Sequence, residues 1–258
     1  MGGDEPSASA GRGTAVVTGA SSGIGEATAR ALSAAGFDVV LGARRTDAIE
    51  QIADDLGPGA RALFLDVTAP RSVEAFCREV GRCRLLVNNA GGALGLDPIA
   101  EADESKWLQM YDSNVLGTLR MTRALLPGLI ASGDAIIVNV GSIAAFEPYP
   151  GGAGYNAAKA ALRALSDVLR MELLGKPVRV SEIDPGMVET DFSLVRFGGD
   201  AERAAAVYRG VTPLTATDIA ECIAFIATRP SHVDIDQMVV RPRDQARAHL
   251  LHRSPPAP

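Results

Sequence analysis

Tyr155 and Lys159 stand four residues apart, and Ser142 precedes the tyrosine by thirteen. Residues four apart on a helix project from one face, so the phenol and the ammonium point the same way. A free tyrosine titrates near 10. A neighbouring ammonium, joined by the positive ring of an oxidised nicotinamide, favours the phenolate and lowers that value. Such a tyrosine gives a proton to a nascent alkoxide, or takes one from an alcohol, near neutral pH. Ser142, in Val140-Gly141-Ser142, can hydrogen-bond the same oxygen and steady its charge. Y-x-x-x-K alone commonly means two unrelated surface residues, so its meaning depends on the elements around it.

The other half of alcohol–carbonyl chemistry is a hydride carrier. Thr18-Gly19-Ala20-Ser21-Ser22-Gly23-Ile24-Gly25 follows the first apolar run and opens the first helical pattern, the context in which a glycine turn cradles a dinucleotide. Gly19 permits the tight turn, and Gly23 and Gly25 let backbone and helix approach a pyrophosphate. The helix start supplies free N–H groups and partial positive charge. The second strand ends Leu41-Gly42-Ala43-Arg44-Arg45, with no acid before Asp47. A carboxylate for a ribose 2′-OH is missing there. Two guanidiniums stand where a 2′-phosphate needs a fork of donors, which predicts NADP rather than NAD. The alternative is that both arginines cap a loop with solvated charge. Asp66, at the end of the third run, is a candidate acceptor for an adenine amino group. Asn88-Asn89-Ala90-Gly91, at the end of the fourth, offers small residues against which a cofactor can lie. Asp, Asn and Gly also end strands simply as turn residues.

The elements that must hold these groups alternate regularly. Apolar runs at 15–17, 39–41, 62–65, 85–87, 136–138, 178–180 and 238–240 have little polar alternation, as in strands covered on both faces. Helical patterns lie between them, at about 25–35, 47–56, 72–80, 104–130, 153–174 and 217–227. This predicts an α/β fold: a doubly wound, Rossmann-type, seven-stranded parallel sheet with helices on both faces. One domain over 14–246 follows, between a disordered N-terminal tail, 1–13, and a C-terminal tail, 247–258. The segment 190–212 breaks the rhythm and holds Phe192, Arg196, Phe197, Tyr208 and Arg209. It is either a substrate lid at the carboxyl end of the sheet or a surface helix pair.

Composition narrows the classes. The 258 residues carry a net charge of −6, which argues against a nucleic-acid partner. Cys77, Cys83 and Cys222 have no metal or redox spacing, and His232, His249 and His252 form no zinc pattern. The start lacks a signal-peptide pattern, and no run reaches membrane-spanning length. The expectation is a cytoplasmic enzyme with a small-molecule substrate, no metal and no membrane partner.

These motifs together resemble a short-chain dehydrogenase/reductase of the single-domain type, from Thr14 to Gln245. The match comprises the glycine turn, Asn88–Gly91, Asn114, Ser142, Tyr155, Lys159 and Pro185-Gly186-Met187-Val188-Glu189-Thr190. The resemblance implies that Asn114 holds a water linking Lys159 to solvent. It implies cofactor contacts at Thr18, Ser21, Ser22, Ile24, Val67, Ala90 and Gly91, and at Tyr155 and Lys159 themselves. Pro185 and Gly186 would flank the nicotinamide, Val188 would meet its carboxamide through backbone, and Thr190 would contact it or a phosphate. A homotetramer or homodimer through the long helices is implied as well. The stretches 93–98, 148–152, 191–200 and 230–233 are similar to NADP-dependent 3-hydroxy acid (serine/allo-threonine) dehydrogenases. The ending 239–245 is shared with aldehyde reductases of secondary metabolism. A 3-hydroxy acid needs a cation for its carboxylate, and Arg196 is the candidate unless it pairs with Asp200 or Glu202. Two further readings stay open: a reductase of a bulkier aldehyde or ketone, and a non-catalytic NADP sensor. The sensor would be expected to lack Ser142, Tyr155 or Lys159, and all three are present.

Overall fold

The apolar runs form strands because each strand is covered on both sides, and neighbouring residues serve opposite cores. In β1 (Thr14–Thr18) Val17 packs into one cluster with Leu32, Ile49 and Ile219, while Val16 packs into the other with Phe76, Met121 and Leu129. The computed structural model describes residues 11–254. After β1 come β2 (Asp38–Ala43), β3 (Ala60–Phe64), β4 (Leu85–Asn88), β5 (Ala135–Val140) and β6 (Val178–Pro185). Two short strands, β7 (Val188–Glu189) and β8 (Leu214–Thr215), pair only with each other. With β9 (Gln237–Val240) the main sheet has seven parallel strands in the order β3-β2-β1-β4-β5-β6-β9. The order reverses between β1 and β4, where a doubly wound sheet opens its crevice.

Helices α1 (Gly23–Ala34) and α2 (Thr46–Leu56) cover one face of the sheet, joined there by a late helix, α9 (Ala216–Ala227). The other face carries α3 (Pro70–Val80), α5 (Gly117–Ala131) and the C-terminal half of α6 (Ala153–Glu172). The helix expected over 104–130 is broken. α4 (Glu104–Tyr111) passes through a wide π turn, Asp112–Leu116, before α5 begins. β3 ends at Phe64, so Asp66 lies two residues beyond the strand. β6 runs five residues past the expected 178–180 and ends on Pro185. The segment after β7 forms two short helices, α7 (Phe192–Arg196) and α8 (Ala201–Tyr208). Among the described residues no helix is long and apolar enough to cross a membrane.

The expected N-terminal tail falls mostly outside the described residues, although Arg12 donates its N–H to the Gly36 carbonyl (3.0 Å). The C-terminal segment folds back on its own chain. β10 (Gln245–Arg247) and β11 (Leu250–Leu251) form an antiparallel hairpin, so the expected boundary at 246/247 cuts through an element. Buried Glu147 holds this hairpin down. It accepts from Arg241 Nη2 (2.7 Å), Arg247 Nη1 (3.2 Å) and the Ala248 N–H (2.8 Å). Removing one acceptor of charged donors costs about 1.5–3 kcal/mol. Glu147→Ala should therefore free the hairpin for tryptic cleavage after Arg247 while the remaining domain stays resistant. Unchanged cleavage at that bond, read by mass spectrometry, would contradict the latch.

Candidate active site

The turn between β1 and α1 is built on close backbone approach. A Cβ on Gly25 would lie 2.2 Å from the Gly19 carbonyl oxygen, and one on Gly19 would lie 2.9 Å from the Ala90 Cα. Gly19 and Gly23 also have φ of +65° and +56°, a region that side chains disfavour. Thr18 is buried and knits this turn to β4, its Oγ1 accepting from the N–H groups of Asn89 (3.0 Å) and Ala90 (2.9 Å). Ser22 precedes α1 without capping it through its side chain, which leaves the first N–H groups of the helix open to an anion. A pyrophosphate fits this cradle of glycine backbone and helix start.

At the outer end of the cradle Arg45 donates from Nε to Ser21 Oγ (3.1 Å) and from Nη2 to Ser22 Oγ (2.6 Å). Arg44 is exposed beside it. Asp66 Oδ1 is engaged locally by the N–H and hydroxyl of Thr68. Val67 is buried against Gly117, and its carbonyl accepts from Arg120. The side chain of Asn88 turns away from the cavity, donating to Thr122 Oγ1 (3.1 Å) and Asn139 Oδ1 (2.9 Å). Its neighbour Asn89 lines the cavity instead, together with Ala90 and Gly91.

The proton-transfer set meets at the ends of β5 and α6. Lys159 Nζ is buried, donates to the Val140 carbonyl (2.8 Å) and lies 5.8 Å from the centre of the Tyr155 ring. Ser142 lines the same cavity as Tyr155, and its Oγ accepts from the Ala144 N–H (3.1 Å). Asn114 sits in the π turn, donating to the carbonyls of Gly92 (2.9 Å) and Met110 (2.7 Å). Its Oδ1 is buried without a protein partner, where a Cβ on Gly91 would reach to 2.4 Å. Titration departs from the expectation. Burial, the largest influence, and the adjacent Tyr149 push Tyr155 well above the usual phenol value, against the opposing pull of Ser142 and Arg196. Burial likewise pulls Lys159 down to about 8, partly offset by Glu182 and Asp184. The expected lowering rested on the neighbouring ammonium and a positive nicotinamide ring and left out desolvation, which dominates in the chain by itself.

These groups face a cavity of about 440 Å³ that runs from the glycine turn to the lid. Val188, Thr190 and Pro185-Gly186 form its wall, with Phe192, Val195, Arg196 and Tyr208 opposite. The 190–212 segment is thus a helix pair that also covers the site. Arg196 makes no ion pair with Asp200 or Glu202. It donates to the Gly95 carbonyl (2.9 Å) and the Tyr149 hydroxyl (3.0 Å), and its Cζ stands 5.9 Å from the centre of the Tyr155 ring. Its Nη2 is buried without a partner. Tyr149, Gln245 and Ala248 also line the cavity. Sequence reasoning missed them because each arrives from a loop or the C-terminal hairpin, with no periodic pattern to mark it.

The short chain dehydrogenase family model matches residues 13–196. An uncharacterised oxidoreductase of Mycobacterium tuberculosis is 64% identical, over 91% of this chain and 92% of that protein. A sulfoacetaldehyde reductase of Chromohalobacter salexigens is 45% identical, over 89% and 94%. The solved closed form of a serine dehydrogenase complexed with NADP+ superposes with a TM-score of 0.89 at 38% identity, covering 93% of this chain and all of that one.

Proposed function

The chain belongs to the short-chain dehydrogenase family, and we propose that it is an NADP(H)-dependent oxidoreductase whose substrate carries an acid group close to the reacting carbonyl or alcohol. A small 3-hydroxy acid is the leading case. The observation that carries this reading is the buried, unpartnered Nη2 of Arg196 beside Tyr155. A buried guanidinium N–H without an acceptor is costly, and an acid group on the substrate would satisfy it. Serine and sulfoacetaldehyde, which two of the similar proteins are named for, both carry such a group. The cavity would also take the nicotinamide end of the cofactor, and its 440 Å³ favour a small substrate over a bulky aldehyde or ketone.

When bound, NADPH supplies the hydride, and its reduced ring carries no positive charge. Tyr155 then keeps its proton at neutral pH, because burial raises it, and delivers that proton to the carbonyl oxygen as charge develops there. Ser142 keeps its own O–H free to donate to the same oxygen, since its Oγ only accepts from Ala144. Lys159, tethered to Val140, supplies the positive charge that stabilises the transient phenolate. Toward the cofactor, Gly19, Gly23, Gly25 and the start of α1 would take the pyrophosphate, and Arg44, Arg45 and Ser21 the 2′-phosphate. Asp66, Val67, Ala90 and Gly91 would line the adenosine side, and Pro185, Gly186, Val188 and Thr190 the nicotinamide side.

The decisive assay follows the reduced-nicotinamide absorbance with NADPH or NADP and a panel of short 3-hydroxy acids, their ketone or aldehyde forms, and sulfonate analogues. Tyr155→Phe should lose about 10²–10⁴-fold in kcat; retained turnover would remove the tyrosine from the chemistry. Arg45→Ala should weaken NADPH about tenfold while leaving NADH unaffected, and an unchanged preference would show that the guanidinium is merely solvated. Arg196→Ala should cost about 10–100-fold in kcat/KM for an acid but not for its methyl ester. Equal losses on both would reject the acid-binding role.

A further inference from the structure

Glu182 and Asp184 are two residues apart on β6, so their side chains share one face. Both are buried, at 2% and 0% exposure. No arginine or lysine forms an ion pair with either among the described residues. They converge on one point of the backbone. A Cβ on Gly141 would lie 2.2 Å from Asp184 Oδ1 and 2.9 Å from Glu182 Oε1, so only glycine fits beneath them. Asp184 Oδ1 accepts the Ser142 N–H (2.8 Å), and Oδ2 accepts from Gln237 Nε2 (2.6 Å). Glu182 Oε2 accepts from Ser166 Oγ. Glu182 Oε1 is buried without a hydrogen-bond partner, close to Asp184 Oδ1 over the same point of backbone. Two buried carboxyls this close repel strongly if both ionise, and one proton held between them relieves that repulsion.

We infer that Glu182 and Asp184 hold a single proton between them and act as the positioning pair of the active site, with Asp184 fixing the backbone of Ser142 and the shared negative charge facing Lys159. The segment Val140-Gly141-Ser142 is then held at both ends: the Val140 carbonyl takes Lys159 Nζ, and the Ser142 N–H is taken by Asp184. Burial first, and then mutual repulsion, raises Glu182; burial raises Asp184 as well. The groups facing the pair are Lys159, Arg163 and Ser166 from α6, Tyr155 beyond Lys159, and Gln237 from β9. Asn139 donates to Ser166 Oγ (2.9 Å) and accepts from Asn88, extending the polar chain across β5 to β4. That chain is what the turned-in side chain of Asn88 serves.

This inference rests on the roles given above to Ser142 and Lys159, and its test separates the two. The infrared band of a protonated carboxyl, recorded on the whole enzyme near pH 6.5, well above the ordinary carboxylate range, should be present in the wild type. It should vanish in Glu182→Gln. This readout is independent of substrate and turnover, so it holds or fails whatever becomes of the proposed reaction. Asp184→Asn removes the anion and should lower kcat about tenfold with KM nearly unchanged, since it misplaces Ser142 rather than a binding group. Its alkaline limb should move to lower pH, because Lys159 loses the charge that keeps it protonated. Absence of the carboxyl band in the wild type overturns the shared proton. A wild-type kcat and pH profile in Asp184→Asn overturns the positioning role. If Asp184→Asn fails to fold by circular dichroism, the band in Glu182→Gln decides: its loss supports the shared proton, and its persistence rejects it.

Discussion

An ammonium group inside the protein is the constraint around which the site is arranged. Lys159 is 7% exposed, and removing a charge from water costs several kcal/mol unless it is matched. The fold matches it in two ways. The Val140 carbonyl accepts directly from Nζ, and the Glu182–Asp184 pair on β6 supplies negative charge nearby. Each of these acceptors belongs to a central strand and cannot follow the lysine if it moves. The same strand ends hold Ser142, and α6 presents Tyr155 one turn before Lys159. Stabilising one buried cation thus fixes three groups relative to one another. The glycine at 141 follows from the same demand, since two carboxyls occupy the space of its Cβ.

The lid side of the cavity is built from different material. The proton-transfer groups sit on strand ends and a long helix, whereas Arg196 comes from the five-residue α7 and is held by Gly95 and Tyr149, both in loops. Tyr208, at the end of α8, donates to the Val188 carbonyl and contacts Ser193, so the two lid helices hang from the cavity wall at β7. The C-terminal hairpin adds Gln245, whose Oε1 accepts from the Met187 N–H and fills the space of a Cβ on Gly186. The proton-transfer groups therefore rest on elements with regular internal hydrogen bonds, and on the proposed reading substrate choice would rest on loops, short helices and the hairpin.

Much of this was legible in the chain, for physical reasons that differ from element to element. Strands β1, β2, β4 and β5 declare themselves as uninterrupted apolar runs because parallel strands are buried on both faces. β6 is underestimated because Glu182 and Asp184 break its run with charges that only tertiary partners neutralise. The π turn at 112–116 leaves no mark, since neither proline nor glycine causes it; Asn114 reaches Gly92 on another segment instead. Asn88 and Asn89 are indistinguishable as letters. Alternation along the strand sends one into the interior network and the other to the cavity. The hairpin was hidden because its anchor, Glu147, lies about a hundred residues away.

The titration of Tyr155 shows how these layers combine. Motif spacing alone puts a cation beside a phenol and argues for a depressed value. The packed site surrounds the ring with Phe192 at 5.5 Å between centroids and with Tyr149, and desolvation outweighs the cation. A tyrosine that resists ionisation is a poor base but a good reservoir for one proton. Lys159, lowered to about 8, remains charged at neutral pH and provides the compensating charge once that proton has left. Burial therefore does more than stabilise the fold: it drives apart the titrations of two neighbouring side chains whose unperturbed values lie close together near 10.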